Sequence, residues 1–267
     1  MASKLGYCTL RWQNPDLEPA LEELKKAGWE GWEGRLPLDW LGPPGRLRRV
    51  CENTDMPMVV FTASGAPDNR DWEHVERNRR RMDYAAEIQA DCFMFMTGRK
   101  PEGRPVNKDD IRRAAEGAEA WAEYAGQSGL ELSYHIHTNT LVDSVEDWKL
   151  YMSLLDKARL CIDVSHAQLW GYNPIESILD FREQLNYVHL QDYTSTSRDK
   201  DGKYLPEWCA VGEAENVDFP SLPDTLNEIG YSRWVTACPG PPVPDEGPIE
   251  QAKRSRGMYE YLKGVGY

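Results

Sequence analysis

The segment Ser133–Thr140, SYHIHTNT, closes an apolar run with two histidines two residues apart. The chain has five histidines, and four of them occupy this kind of position. His135 and His137 end one run, His166 follows the aspartate of CIDVSH, and His189 lies in YVHLQD. An imidazole titrates near neutrality, so it can take up a proton, return it, or ligate a metal. Asp163 stands between apolar residues, where an ionised carboxylate is costly unless it is paired or metal-bound. Neutral imidazoles with a carboxylate suit one divalent ion such as Zn, Mn, Co or Fe. The spacing matches neither a zinc finger nor an H-E-x-x-H helix. The fifth histidine, His74, falls in a helical stretch and is expected to be exposed.

These side chains converge only if the intervening elements bring the ends of the apolar runs together. Short runs alternate with helical patterns along the whole chain. LGYCTL (Leu5–Leu10), WEGWEGR, MPMVVFTASG, DCFMFMTG, LELSYHIHT, RLCIDVSH, LNYVHLQD and RWVTACPG read as strands. Between them lie helical stretches such as PDLEPALEELKKAG, with Leu17, Ala20, Leu21 and Leu24 at helical spacing and Gly28 as the stop. In VEDWKLYMSLLDKA, Trp148, Tyr151, Met152 and Leu155 form one stripe. Eight such units predict a single (β/α)8 barrel domain over residues 1–267. A doubly wound open sheet is the alternative, but the first turn, LRWQNPD, lacks the glycine fingerprint of that fold. In a barrel, His135, His137, His166 and His189 share the C-terminal mouth, on the fifth, sixth and seventh strands. Alternation sends His135 and His137 to the same side, and Gln191 to the side of His189 with Asp192 beyond.

Composition narrows the partners. A net charge of −13 repels a phosphate backbone and argues against nucleic acid. The basic run Arg77–Arg81 reads as a solvated helix face. No apolar stretch is long enough for a membrane span, and MASKLGYCTL has no signal core. The six cysteines are scattered without a C-x-x-C, so a reduced cytoplasmic protein is expected. A homo-oligomer is left open. Trp12 and Trp170 follow strands one and six, and Trp208 lies in the long segment Tyr193–Val211, which reads as a lid or a partner surface. Such rings stack on sugar faces or pack a core. Arg198 in that segment is a candidate for a substrate hydroxyl, carboxylate or phosphate. The absence of a glycine-rich phosphate cradle favours a non-phosphorylated polyol or sugar acid.

KLGYCTLRW, AGWEGWEGR, IDVSHA, YVHLQD and VGEAENVDFPSLPDTLNEIGYSRWVT together resemble the sugar phosphate isomerase/epimerase superfamily of xylose isomerase-like barrels. RWQN is similar to inosose dehydratases within it. The resemblance implies one divalent metal bound by residues of strands five to eight. Asp163 and His189 match that pattern in type. The strand-five glutamate falls on His135, and the strand-eight glutamate falls near Cys238, which is either a fourth ligand or a packing residue. A water, or Asp245 or Glu246, could otherwise complete the shell. Glu33 matches the second-strand carboxylate and, with Trp12 and Arg198, is a candidate for substrate binding. The family's acid/base glutamates are missing, and His137 and His166 are the candidates to replace them. The implied activity is a metal-dependent isomerase or epimerase acting through an enediolate on a small sugar, keto-polyol or cyclitol. A lyase, either an inosose-type dehydratase or a C-glycoside-cleaving enzyme, is the alternative, as is a binding subunit without catalysis.

Overall fold

The computed structural model describes residues 3–13 and 16–267. Asn14 of RWQN, Pro15 of the first helical stretch and the opening Met1–Ala2 lie outside the described residues. The first half of the chain runs β1 (Lys4–Cys8), α1 (Leu17–Ala27), β2 (Gly31–Gly34), α2 (Leu38–Leu41), α3 (Pro44–Thr54), β3 (Met58–Thr62), α4 (Trp72–Glu87), β4 (Cys92–Phe95), α5 (Lys108–Gly126) and β5 (Glu131–His135). The second half continues with α6 (Val145–Ser153), β6 (Arg159–Asp163), α7 (Val164–Leu169), α8 (Pro174–Asp180), β7 (Leu185–Leu190), β8 (Asp192–Arg198) and β9 (Tyr204–Cys209). It ends with α9 (Leu222–Glu228), β10 (Trp234–Ala237), α10 (Pro248–Arg254) and α11 (Arg256–Gly264).

Eight strands close in the order β1-β10-β7-β6-β5-β4-β3-β2, all parallel. The expected (β/α)8 barrel is therefore present. Pairing of β1 with β10 excludes an open sheet. The strands are near-continuous apolar runs because the helices cover one face and the barrel interior fills the other. Val60, Cys92, Met94, Cys161 and Tyr187 form a cluster of buried side chains separate from the larger helix–strand core. Clearance is small: a Cβ on Gly6 would come 2.5 Å from the Thr236 hydroxyl oxygen, so this strand position accepts only glycine without a shift.

Local signals set the helix ends. Gly28, at φ 113°, takes the left-handed conformation that stops α1. The Asn107 side chain caps α5 in a reciprocal box with Asp110. The helix read over residues 145–158 ends earlier, at Ser153, and the C-terminal helical stretch is broken into α10 and α11 at Ser255. The segment after β7 is not an irregular loop. Its β8 and β9 pair antiparallel as a hairpin, and Asp192 at its base accepts from the backbone N–H groups of Tyr193, Gly212 and Ala214.

Candidate active site

The barrel brings the four strand-end histidines into one cluster. Ring centroids lie 4.8 Å apart for His135–His189, 5.9 Å for His135–His137, 6.2 Å for His135–His166 and 4.0 Å for His137–His166. His135 ends β5 and His189 lies on β7, with Asp163 at the end of β6 between them. All three are buried. Asp163 divides its oxygens. Oδ1 caps α7, accepting from the N–H groups of Ser165 (3.0 Å) and His166 (3.3 Å) and from the Ser165 hydroxyl (2.6 Å). Oδ2 faces the imidazoles, 2.9 Å from His189 Nδ1 and 3.2 Å from His135 Nε2.

The two imidazoles differ in charge. Burial and the neighbouring His189 push His135 down to about 4, against the pull of Asp163, so its ring is neutral. Burial acts the same way on His189, but Glu33 and the Asp163 hydrogen bond outweigh it and raise the pKa to about 10. His189 is thus an imidazolium between two carboxylates, with Nε2 3.5 Å from Glu33 Oε2. Glu33 is fully buried on β2. Burial would raise its pKa, yet Arg35, 2.5 Å away, and His189 bring it to about 2. Tyr187 Oη and Cys8 Sγ also donate to it, at 3.1 and 3.2 Å.

His135, Asp163 and His189 offer donor atoms that all lie within 4.8 Å of one another. Two imidazole nitrogens and a carboxylate oxygen suit a divalent transition ion, which would replace the two protons now held against Asp163 Oδ2. The residues therefore fit a metal. Cys238 is brought into a different group. Its sulfur lies within 4.8 Å of Cys8 Sγ and a nitrogen of His189, and this buried triad does not include His135 or Asp163. Glu246, an alternative fourth ligand, is paired instead with Arg254 at 2.7 and 2.8 Å.

His137 and His166 are oriented by one residue, Thr138. The Thr138 N–H donates to His166 Nδ1 at 3.2 Å, which leaves the His166 proton on Nε2 while the ring is neutral. Burial first, then His137, holds His166 well below the usual histidine range, so it is neutral. His137 Nδ1 donates to the Thr138 carbonyl at 2.7 Å, leaving an Nε2 lone pair. Burial lowers the His137 pKa as well. One ring thus presents a donor and its neighbour an acceptor. Trp208 of the hairpin packs edge-on to His166 at 5.3 Å, and Asn139 pins the hairpin by bonding the Tyr204 N–H (2.8 Å) and carbonyl (3.0 Å).

A cavity of about 620 Å³ opens beside His135, with Asn139 and Thr140 in its wall. Trp12, Arg198, His137 and His166 do not line it. Trp12 is buried beside Tyr7, and Arg198 stacks on Tyr204 within the hairpin. Trp170 donates its indole N–H to Asp143 at 3.1 Å. Two expectations need correction. His74 is buried, not exposed. It is held by Ala66 O at 2.8 Å and stacked on Trp121, because α4 turns this face toward α5 and the loop after β3. The run Arg77–Arg81 is not wholly solvated. Arg81 is buried, donating to Thr62 O and lying 4.0 Å over the Phe61 ring, and Arg77 lines the cavity. Arg35, Cys8 and Thr138 were missed in the sequence. Arg35 had a usable signal, since on a strand it shares a side with Glu33 two residues before it.

Residues 21–260 match the xylose isomerase-like TIM barrel family. The chain belongs to that family. It is 22% identical to an inosose dehydratase of Lacticaseibacillus casei, over 96% of each chain. It is 22% identical to an inosose dehydratase of Clostridium beijerinckii, over 97% of this chain and 96% of that protein. Among solved structures it is similar to the apo 3-keto-D-glucoside 4-epimerase of E. coli, with a TM-score of 0.74 at 16% identity over 98% of this chain and 99% of that one. That likeness is one of fold. Within the xylose isomerase-like barrels, this member carries its strand-end imidazoles and Asp163 at the barrel face where such enzymes hold their sites.

Proposed function

We propose that the protein is an enzyme that removes a proton beside a carbonyl of a small sugar, keto-polyol or cyclitol. The observation that carries this reading is the His137–His166 pair. Its rings are 4.0 Å apart and Thr138 orients them as acceptor and donor. His137 Nε2 takes the carbon-bound proton, and His166 Nε2–H protonates an oxygen of the substrate. His135, Asp163 and His189 would hold one divalent metal ion. When bound, that ion would polarise a substrate carbonyl or hydroxyl and stabilise the charge of an enediolate. Glu33, itself paired with Arg35, lies 3.5 Å from His189 Nε2 and helps to orient that ring.

Imidazoles this close cannot stand on opposite faces of one carbon, as a two-base epimerisation requires. They suit a base and an acid acting on adjacent atoms from one side. That supports loss of water from a keto-polyol, and two curated relatives of matching length are named inosose dehydratases. Proton transfer between adjacent carbons, as in an aldose–ketose isomerase, is the second reading, because the same one-sided pair serves it. The test is incubation with inososes, ketoses and their carboxylate- and phosphate-bearing counterparts in deuterium oxide, followed by mass spectrometry and NMR. A product lighter by one water supports the dehydratase. Deuterium incorporation without that loss supports the isomerase. Neither outcome, with metal-loaded protein and a full panel, would sink both.

A further inference from the structure

The charges around the cavity beside His135 are unlike those of the chain as a whole. Asp and Glu outnumber Lys and Arg by 44 to 31, yet the wall carries Arg35, Arg77 and Arg99 against a single carboxylate, Asp68. Arg35 is neutralised by Glu33. Arg77 and Arg99 have no carboxylate within 4.0 Å among the described residues, although neighbours on the same segments do: Arg79 pairs with Glu76 and Lys100 with Asp143. The opposing Asp68 is built into the wall. A Cβ on Gly98 would come 2.6 Å from its Oδ2, so glycine is what lets the carboxyl lie there. Asp68 Oδ1 is buried with no hydrogen-bond partner. The wall therefore offers two unpaired guanidinium forks and an acceptor without a donor. A guanidinium binds carboxylate or phosphate through two parallel hydrogen bonds, and a carboxylate with free lone pairs accepts hydroxyls.

We propose that this cavity seats an anionic substituent of the substrate, carboxylate or phosphate, between Arg77 and Arg99, while Asp68 accepts hydroxyls of the same molecule. The substrate is then an acidic polyol whose charged end lies away from the carbon that reacts at His137 and His166. This rests on the reading that the reaction is at the histidine cluster and adds the substrate class. It also replaces Arg198 as the arginine that reads the substrate. An arginine pair needs no glycine-rich cradle, so both kinds of anion remain chemically equivalent candidates.

The test is calorimetric titration of the full chain with D-glucitol, D-gluconate and D-glucitol 6-phosphate, which share a six-carbon chain and the hydroxyls of C2 to C5. At least one acid should bind about tenfold or more tightly than D-glucitol. Preference for gluconate assigns a carboxylate, and preference for the phosphate ester assigns a phosphate. Arg77→Gln and Arg99→Gln should each weaken the preference, the double variant should abolish it, and Arg80→Gln on the same helix should retain it. All three side chains are exposed, and an unchanged melting temperature checks that the variants fold. Equal binding of the neutral probe, no binding of either acid, or a preference that survives the double variant would each overturn the proposal. Binding is read without turnover. An arginine-dependent preference in a protein that transforms nothing leaves the subsite standing and removes the proposed reaction, whereas turnover confined to neutral substrates does the reverse.

Discussion

Asp163 does two things with its two oxygens, and the substitutions at this position separate them. Asp163→Ala loses both the α7 cap and the charge facing His135 and His189. Asp163→Asn keeps an oxygen that can cap and loses the charge. Both variants are expected to purify without stoichiometric divalent metal by elemental analysis, and wild-type metal content in either would show that the ion is held elsewhere. Cys238→Ser is expected to keep the metal, because its sulfur groups with Cys8 on the far side of His189. A cobalt-loaded protein that shows a thiolate charge-transfer band, lost in Cys238→Ser, would put sulfur in the shell instead. For the paired imidazoles, His137→Gln and His166→Gln should each lower kcat by roughly 100- to 10,000-fold, the usual range for loss of a general acid or base. KM should change little. A proportionate rise in KM with unchanged kcat would make them binding groups only.

At the scale of elements, the site depends on strands joined by helices, of which α4 to α8 carry side-chain N-caps, and on one hairpin that covers it. α5, which leads into β5 and so into His135, starts with a reciprocal capping box. Asn107 accepts from the Asp109 and Asp110 N–H groups, and Asp110 accepts from the Asn107 N–H and from Arg104. Asn107→Ala should cost about 1 kcal/mol in urea unfolding. Asp110 adds a pH dependence with a definite sign. The Arg104 hydrogen bond, followed by that of the Asn107 backbone, holds its carboxyl well below the usual carboxylate range. A depressed folded pKa contributes stability above the unfolded value, ~3.9 for aspartate, and that contribution fades as pH falls below it. The stability gap between wild type and Asp110→Asn should therefore be full at pH 7 and shrink progressively below about pH 4. A gap that widens in acid would contradict the assignment.

At the scale of the whole molecule, barrel closure and net charge set the boundaries. β1 closes the ring against β10, and Gly6 faces Thr236 across that seam. Gly6→Ala should destabilise the fold by roughly 1–3 kcal/mol, the range for overpacking a tight interior, with the loss seen in the midpoint of chemical unfolding. No loss would mean that the seam relaxes more easily than its contacts imply. The net charge of −13 opposes nucleic acid at long range, while the proposed subsite at Arg77 and Arg99 is a local positive wall that would draw small anions to one sector of the mouth. Among the described residues no helix is long and apolar enough to cross a membrane.

The sequence by itself determined the barrel and the end of it that matters. Alternating apolar runs and helical stripes leave few ways to bury both, and a parallel ring places every strand terminus on one face. His135, His137, His166, His189 and Asp163 could be placed together from that alone. What each group does there was decided by neighbours remote along the chain, which periodicity does not encode. Glu33 and Tyr187 meet across 154 residues, and the charge on His189 follows from Glu33 and Asp163 on two other strands. Thr138 chooses which ring nitrogen carries a proton, Cys8 draws Cys238 away from the group formed by His135 and Asp163, and the loop at Asp68 turns a surface arginine into a cavity wall. Each depends on register and burial to within an ångström or two, and the closed tertiary structure sets these.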